Sequence, residues 1–257
     1  MIAYRKGPLR VIETWFDEPA QAVGADILRC IQRSQPTAAG IATQFYTLLI
    51  DLSDEPEKLL AKMNKETRYE IRRAEEKDRI QCQMWRATTH SSLNDFRSFY
   101  DRFAAERALA PANHEKLQKF ADRSELVLSI AQVEDGRSLV WHSYYRAEQR
   151  LRLLHSATYS QSDNSISRAL LGRANRYLHW RDILQFHADG ARFYDFGGWY
   201  EGTDPKRSAI NRFKQGFGGE VALNYNCLCG LTLIGSATVW MHSKLSSNRS
   251  SSSVVLH

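Results

Sequence analysis

Apolar and polar positions along this chain recur at two periods, and the switches between them lay out its elements. Leu9 to Phe16 reads as a strand and Ala20 to Gln32 as a short helix; Ser34 to Thr43, with Pro36 and Gly40, is a loop. FYTLLIDL (Phe45 to Leu52) is β-rich and almost wholly apolar, as a buried strand is. Asp54 and Pro56 suit a helix start, and Leu59, Leu60, Met63, Thr67, Ile71 and Ala74 then recur at helical spacing, predicting a helix over 57–77. Gln81 to Arg86 reads as a strand, Leu93 to Ala108 and His114 to Asp122 as helices. The runs ELVLSIAQV (Glu125 to Val133), SLVWHSYYRA (Ser138 to Ala147) and RLRLLHSATY (Arg150 to Tyr159) are joined by tight turns at EDGR and around Glu148, which predicts an antiparallel meander.

A polar loop, SQSDNS (Ser160 to Ser165), precedes a long helix over 167–188, whose stripe is Leu170, Ala174, Tyr177, Leu184 and Ala188 and whose stop is Gly190. FYDFGG is the next strand and turn, Lys206 to Gln215 a short helix, and Val221 to Ile234 a closing strand or hairpin. The most apolar run, CLCGLTLIGSATVWM (Cys227 to Met241), is short of the ~20 residues of a membrane span and is read as a buried strand, with membrane-surface contact as the alternative. Residues 243–257 are Ser-rich and expected to be disordered.

Composition narrows the classes. The 257 residues are 43% hydrophobic, enough for a substantial core. A net charge of +6 suits an anionic partner (a nucleotide cofactor, RNA or an acidic lipid surface) without choosing among them. The four cysteines include a single close pair, Cys227 and Cys229, which completes no zinc set; a reducing compartment and no metal are expected. The first residues hold no apolar signal core, so a cytoplasmic protein is expected. Neither a G-x-S-x-G elbow nor a Walker or Rossmann glycine pattern occurs.

The order strand, helices, three antiparallel strands, long helix, strand, short helix, strand matches the acyltransferase fold called GNAT. Four blocks, TRYEIRRAEEKD (Thr67 to Asp78), GRANRYLHWRDI (Gly172 to Ile183), YDFGGWY (Tyr194 to Tyr200) and INRFKQGFGGE (Ile210 to Glu220), resemble those of FemAB-like acyltransferases, which are GNAT-related. The resemblance runs from about Phe45 to Glu220. It implies an α/β fold with a mixed, largely antiparallel central sheet flanked by helices. On this reading residues 1–80 are a reduced first GNAT-like half with a basic helix, 81–242 the acyltransferase core and 243–257 the tail. The implied reaction moves an activated acyl group to an amine. Founding members of the family take it from aminoacyl-tRNA and extend the peptide bridge of peptidoglycan precursors. This chain lacks the long helical arm that some of those enzymes carry, so acyl-CoA is the favoured donor, as co-substrate rather than tightly bound cofactor. The acceptor would be a small molecule or cell-envelope precursor; DNA is not expected. Charged tRNA as donor, and a non-catalytic GNAT-like binding module, are the alternatives.

Aminolysis of an ester or thioester passes through a tetrahedral oxyanion that fixed donors stabilise. Lys214 sits in the Phe213–Lys214 pair resembling the family's FK motif, whose lysine stands at the transfer centre. Asp195 on the FYDFGG strand could orient the amine, take its proton or cap the following turn, while Gly197 and Gly198 leave room at the split of the sheet and Tyr200 follows them. Arg68 and Arg72, one helical turn apart, belong to a salt-bridged solvated face or offer bidentate donors to an acceptor's phosphate or carboxylate. His155, with His142 and His179, is a catalytic or a hydrogen-bonded structural histidine, and His155 is carried as a substrate-binding candidate. Ser167 and Arg168 would meet the CoA pyrophosphate at the start of the long helix, and Arg173 would contact a phosphate there or pair with an acidic neighbour.

Overall fold

The structure is a computed structural model that describes residues 1–20, 22–147, 149–159 and 166–247, the side chains of 245–247 excepted. The loop expected at 160–165, the turn residue Glu148 and the tail beyond 247 lie outside the described residues. Along the chain run β1 (Ile2–Lys6), β2 (Leu9–Trp15), β3 (Ile27–Arg33), β4 (Ile41–Asp51), α1 (Pro56–Lys62), α2 (Lys65–Glu76) and β5 (Gln81–Trp85). There follow α3 (His90–Glu106), α4 (His114–Asp122), β6 (Leu126–Gln132), β7 (Ser138–Arg146) and β8 (Arg150–Thr158). The chain then forms α5 (Arg168–Ala188), β9 (Phe193–Gly198), α6 (Pro205–Gln215), β10 (Glu220–Gly230) and α7 (Leu233–Ser247).

Several elements differ from the sequence reading: β1 is an additional strand, residues 243–247 of the tail expected to be disordered close α7, and three further segments change type. The expected helix over 20–32 is loop followed by β3: Ile27, Leu28 and Ile31 carry a strand pattern, and β3 pairs in parallel with β2 from Val11↔Ile27 to Trp15↔Ile31. The helix expected over 57–77 is two helices, because Asn64 takes extended backbone and caps the second, its Oδ1 accepting the Thr67 N–H at 2.7 Å. The apolar run 227–241 is strand only as far as Gly230; Thr232 then turns the chain, its hydroxyl oxygen accepting the Gly235 N–H at 3.1 Å, and α7 begins. Gly235 is needed there, since a Cβ on it would collide with the Asp26 carbonyl.

Two compact units result, one of residues 1–46 with the chain from Ala222 on, the other of residues 47–221. The basic helix α2, grouped with residues 1–80 on the sequence reading, thus belongs to the same unit as the meander. In the first unit β1 and β2 form an antiparallel hairpin, β2 pairs in parallel with β3, and β3 pairs antiparallel with β10, Cys30 opposite Cys227. Val11, Ile27 and Val239 form its small core, and Glu13 is fully buried with the Trp15 Nε1–H at 2.8 Å and Arg29 at 3.2 Å.

The second unit is a mixed α/β body with an open, largely antiparallel sheet in the order β4-β9-β8-β7-β6-β5, flanked by helices. Among the described residues of this unit, the β8–β9 pair alone is parallel. Helix α5 lies on β6 and β7 with α2 packed against it, while α3 and α4 contact the sheet with Phe96 and Phe120 buried. β6 and β7 are buried on both faces, which is why they read as nearly unbroken apolar runs rather than alternating ones. The aromatic crowding of FYDFGG has its explanation here: Tyr194 and Phe196 enter the core with Tyr144, Phe186 and Phe217, and Asp195 points the other way.

Candidate active site

The site is organised by the parallel strands β8 and β9. Their pairing is confined to Arg150–Arg152 with Phe193–Asp195, so the strands are joined at their starts and part beyond Asp195. At the parting point β9 changes direction. Gly197 adopts φ +71°, in the left-handed region that favours glycine, and a Cβ there would stand 2.9 Å from the Arg152 guanidinium carbon.

Asp195 holds this turn together. Its Oδ1 accepts the Gly197 N–H at 2.7 Å, an Asx-type turn, and also the Thr47 hydroxyl. Its Oδ2 accepts Arg150 twice, from Nε at 2.9 Å and Nη2 at 2.6 Å. The carboxylate is completely buried. Burial alone would raise its pKa; Arg150 and then Arg152, with the Thr47 and Gly197 hydrogen bonds, outweigh it and hold the group below its usual 3.8. A carboxylate has about four acceptor positions, and here four donors occupy them. Of the roles open to Asp195 on the sequence, this geometry fits the turn cap and ion-pair partner and leaves no lone pair for a substrate proton.

Helix α6 brings Lys214 to the same turn. Asp204 caps its start, accepting the Arg207 N–H at 2.9 Å, and Pro205 opens its first turn. Before it, Tyr200 is tied to the helix by its N–H to Asn211 Oδ1 at 3.2 Å and by Asn211 Nδ2 to its carbonyl at 2.6 Å, while its hydroxyl accepts the Asp204 N–H at 3.2 Å. Lys214 Nζ donates to the Gly198 carbonyl at 2.5 Å and lies 3.4 Å from that of Gly197. Burial first, then the charge of Arg152, pushes its pKa down from 10.5 to about 8, with Asp195 acting in the opposite sense. An ammonium has three donors. Two are directed at the glycine carbonyls, which leaves one for a further acceptor. Arg152 is itself lowered, by burial before the neighbouring Arg150. The turn is therefore lined by three cationic side chains and one saturated carboxylate.

Beside it lies a cleft of about 520 Å³ lined by Glu66, Thr67, Arg176, Arg212 and Phe213, among others. The Arg176 guanidinium stacks over the Phe213 ring, 5.0 Å from its centroid, and its Nη2 lies 3.6 Å from Glu66. Beneath Phe213, His179 fills the core: its Nδ1 meets the Tyr194 hydroxyl at 2.6 Å, and that hydroxyl meets Tyr144 at 2.9 Å. Tyr144 in turn donates to Asp182 Oδ2 at 2.6 Å, which also takes Ser129 and His142, each at 2.9 Å. Burial, then His142, holds His179 well below the ordinary histidine value, so it is neutral. Burial, then Asp182, raises both tyrosines.

The other candidates lie apart from this turn. His155 bonds Ser143 Oγ through Nδ1 at 2.8 Å and packs edge-on against Tyr100 of α3, its ring centroid 4.5 Å away, on the opposite face of the sheet from Ser156 and α5. Arg173 is bound to Asp78 through Nε and through Nη2 at 3.1 Å, an ion pair joining α5 to the end of α2. Ser167 caps α5, its Oγ accepting the Leu170 N–H at 3.2 Å, and Arg168 is exposed on its first turn. Arg68 and Arg72 are exposed on α2; Arg72 lines a shallow hollow with Tyr69, Arg73, Glu76 and Lys77. Thr47, Arg150, Arg152 and Arg212 were not singled out by sequence. Among the described residues no helix is long and apolar enough to cross a membrane.

No protein-family model matches the chain, and no curated protein matches it significantly. Solved structures do. FemX is 13% identical over 80% of this chain and 73% of its own, with a TM-score of 0.61. L-PGS from Bacillus licheniformis is 12% identical over 95% and 84%, with a TM-score of 0.56. The C-terminal domain of a putative lysylphosphatidylglycerol synthetase from Agrobacterium fabrum is 12% identical over the same shares, with a TM-score of 0.55. At this identity the likeness is one of fold: the chain shares the fold of FemX and of the two synthetase structures.

Proposed function

We propose that this chain is an acyl- or aminoacyltransferase that carries an activated acyl group to an amine, with Lys214 as the cation facing the developing oxyanion. The single observation behind this reading is the seat of Lys214: a lysine with pKa pushed down to about 8, fixed on the Gly197 and Gly198 carbonyls where β8 and β9 part. A gap between parallel strands next to an oriented donor is what a tetrahedral acyl-transfer intermediate requires. The shared fold with FemX and L-PGS supports the same class, and the names of the synthetases favour an acceptor of the cell envelope.

Two donors remain in competition. For acyl-CoA, the start of α5 offers Arg168 and backbone N–H groups, but Ser167 is engaged as a cap and Arg173 with Asp78. For aminoacyl-tRNA, the exposed face of α2 offers Arg68, Tyr69, Arg72, Arg73 and Lys77 to a phosphate backbone. That observation favours the charged tRNA as the second reading. Calorimetric titration of acetyl-CoA and longer acyl-CoAs into the protein, beside aminoacyl-tRNA at low and high salt, separates them. Saturable binding of a thioester supports the CoA enzyme; RNA affinity that falls steeply with salt supports the tRNA enzyme. Transfer to amine acceptors that survives Lys214→Met at the wild-type rate would refute the assigned role of Lys214.

A further inference from the structure

Among the described residues, nothing covers one apolar face of helix α7. Leu233, Ile234, Trp240 and Met241 are exposed by 92%, 67%, 61% and 52%, although residues of these types are usually covered. Positions 233, 237, 240, 241 and 244 fall at the spacing of one helical stripe, so Leu233, Ala237, Trp240, Met241 and Lys244 share a face, with Ile234 at its margin. The opposite side, through Gly235 and Val239, is the one packed on the protein. Lys244 Nζ stands 5.8 Å from the centre of the Trp240 ring.

Basic side chains lie near the start of this helix. Asp26 anchors the start of α7: its carbonyl accepts the Leu231 N–H at 2.8 Å and its Oδ1 the Thr232 hydroxyl at 2.9 Å. The same carboxylate accepts the Arg10 N–H at 2.9 Å, which brings the β1–β2 hairpin alongside, with Arg5 paired opposite Arg10 and Lys6 next to them, all exposed. Val23, 93% exposed, lies on the loop just before Asp26. No acidic residue follows Glu220 in the sequence.

We infer that this face is a docking surface for an anionic lipid bilayer, with Leu233, Ile234, Trp240 and Met241 entering the head-group boundary and Arg5, Lys6, Arg10 and Lys244 meeting lipid phosphates. A second protein copy would be served by the apolar stripe alone. The pairing of a Trp-bearing stripe with flanking lysine and arginine, free of acidic residues on the helix, is the pattern of a helix lying in a charged interface. The helix lies in the interface and does not cross it. The inference is independent of the transfer reaction and of which donor it uses.

The test is flotation of the full chain with vesicles of phosphatidylcholine, alone and mixed with phosphatidylglycerol. The protein is expected to float with the anionic vesicles and to be released by high salt. The triple variant Leu233→Ser, Ile234→Ser, Trp240→Ser should partition on the order of 100-fold more weakly, and because these side chains touch solvent it should keep the wild-type unfolding midpoint. Brominated lipid should quench the wild-type fluorescence more than that of Trp240→Phe. Replacing Arg5, Lys6 and Arg10 by Gln should weaken anionic binding on the order of 100-fold, about one lipid-facing charge at a time. Absence of flotation, flotation unchanged in the triple variant, or a concentration-dependent dimer that the triple variant abolishes would each overturn the inference.

Discussion

Asp195→Asn separates an organising carboxylate from a catalytic one without knowledge of the substrate. The change preserves shape and removes charge. The Asp195 oxygens accept from donors: Arg150 through two nitrogens, the Gly197 N–H and the Thr47 hydroxyl. An asparagine amide must turn its NH₂ toward either Arg150 or the Gly197 N–H, and only the Thr47 hydroxyl can rotate to accept. One buried donor-to-donor contact follows, and the Arg150 guanidinium, 14% exposed, loses the Asp195 charge. Breaking a buried ion pair from one side costs about 3–5 kcal/mol. For a unit of this size that lowers the unfolding midpoint by roughly 10 °C. The pH dependence has a definite sign. The folded pKa lies below the ordinary 3.8, so the wild-type contribution is complete above that value and is lost as pH falls through the folded pKa. The midpoint gap between wild type and Asp195→Asn should therefore be constant near neutrality and narrow in acid. Differential scanning calorimetry from neutral to acidic pH measures both. A variant with the wild-type midpoint and no transfer activity would refute the reasoning and return Asp195 to the role of base.

The other expectations concern neighbouring groups. Lys214→Met should abolish transfer yet melt no lower than wild type at neutral pH. Because the lysine is depressed to about 8, the wild type should gain stability relative to the variant as pH rises from about 8 toward 10.5, and wild-type activity should fall over the same rise if the ammonium is the active form. Gly197→Ala should cost about 1–3 kcal/mol in denaturant titrations, from left-handed backbone and contact with Arg152, with a larger loss in transfer rate than Gly190→Ala, whose Cβ would meet nothing within 4 Å. Tyr194→Phe deprives the buried His179 Nδ1 of its partner and should destabilise by about 1–3 kcal/mol while leaving the rate within a few-fold; a collapse of the rate at unchanged stability would mean that the tyrosine–histidine chain moves protons.

What could be read from the chain was whatever local pattern controls. The meander, the long helix, the Asp204–Pro205 start of α6 and the glycine break after Phe196 each follow from period, cap or turn chemistry within a few residues. Two of the elements misread are ones in which distant partners decide. Residues 27–33 form a strand because β2 and β10 lie on either side, and the apolar run after Gly230 becomes helix because Asp26 receives its first turn. An apolar segment reads as buried strand by default; nothing in its own composition says that one face will stay uncovered.

The turn of the candidate site was half legible for a related reason. Lys214, Gly197 and Gly198 came from adjacent sequence blocks, and the structure brings them within hydrogen-bonding distance. Arg150 and Arg152 went unnoticed, although they carried a signal. Two arginines alternate along RLRLL and so share one face of a largely buried strand, and a buried cation requires a counter-charge. Asp195 stands inside an otherwise aromatic strand and has the same requirement. The two segments satisfy each other, with Arg152 in parallel register with Asp195 and Arg150 bonded to it. Charge balance between strands thus argued for β8 beside β9 before any fold was known. It also argued that Asp195 would be consumed in holding the turn, which leaves Lys214 as the group at that turn with a donor to spare.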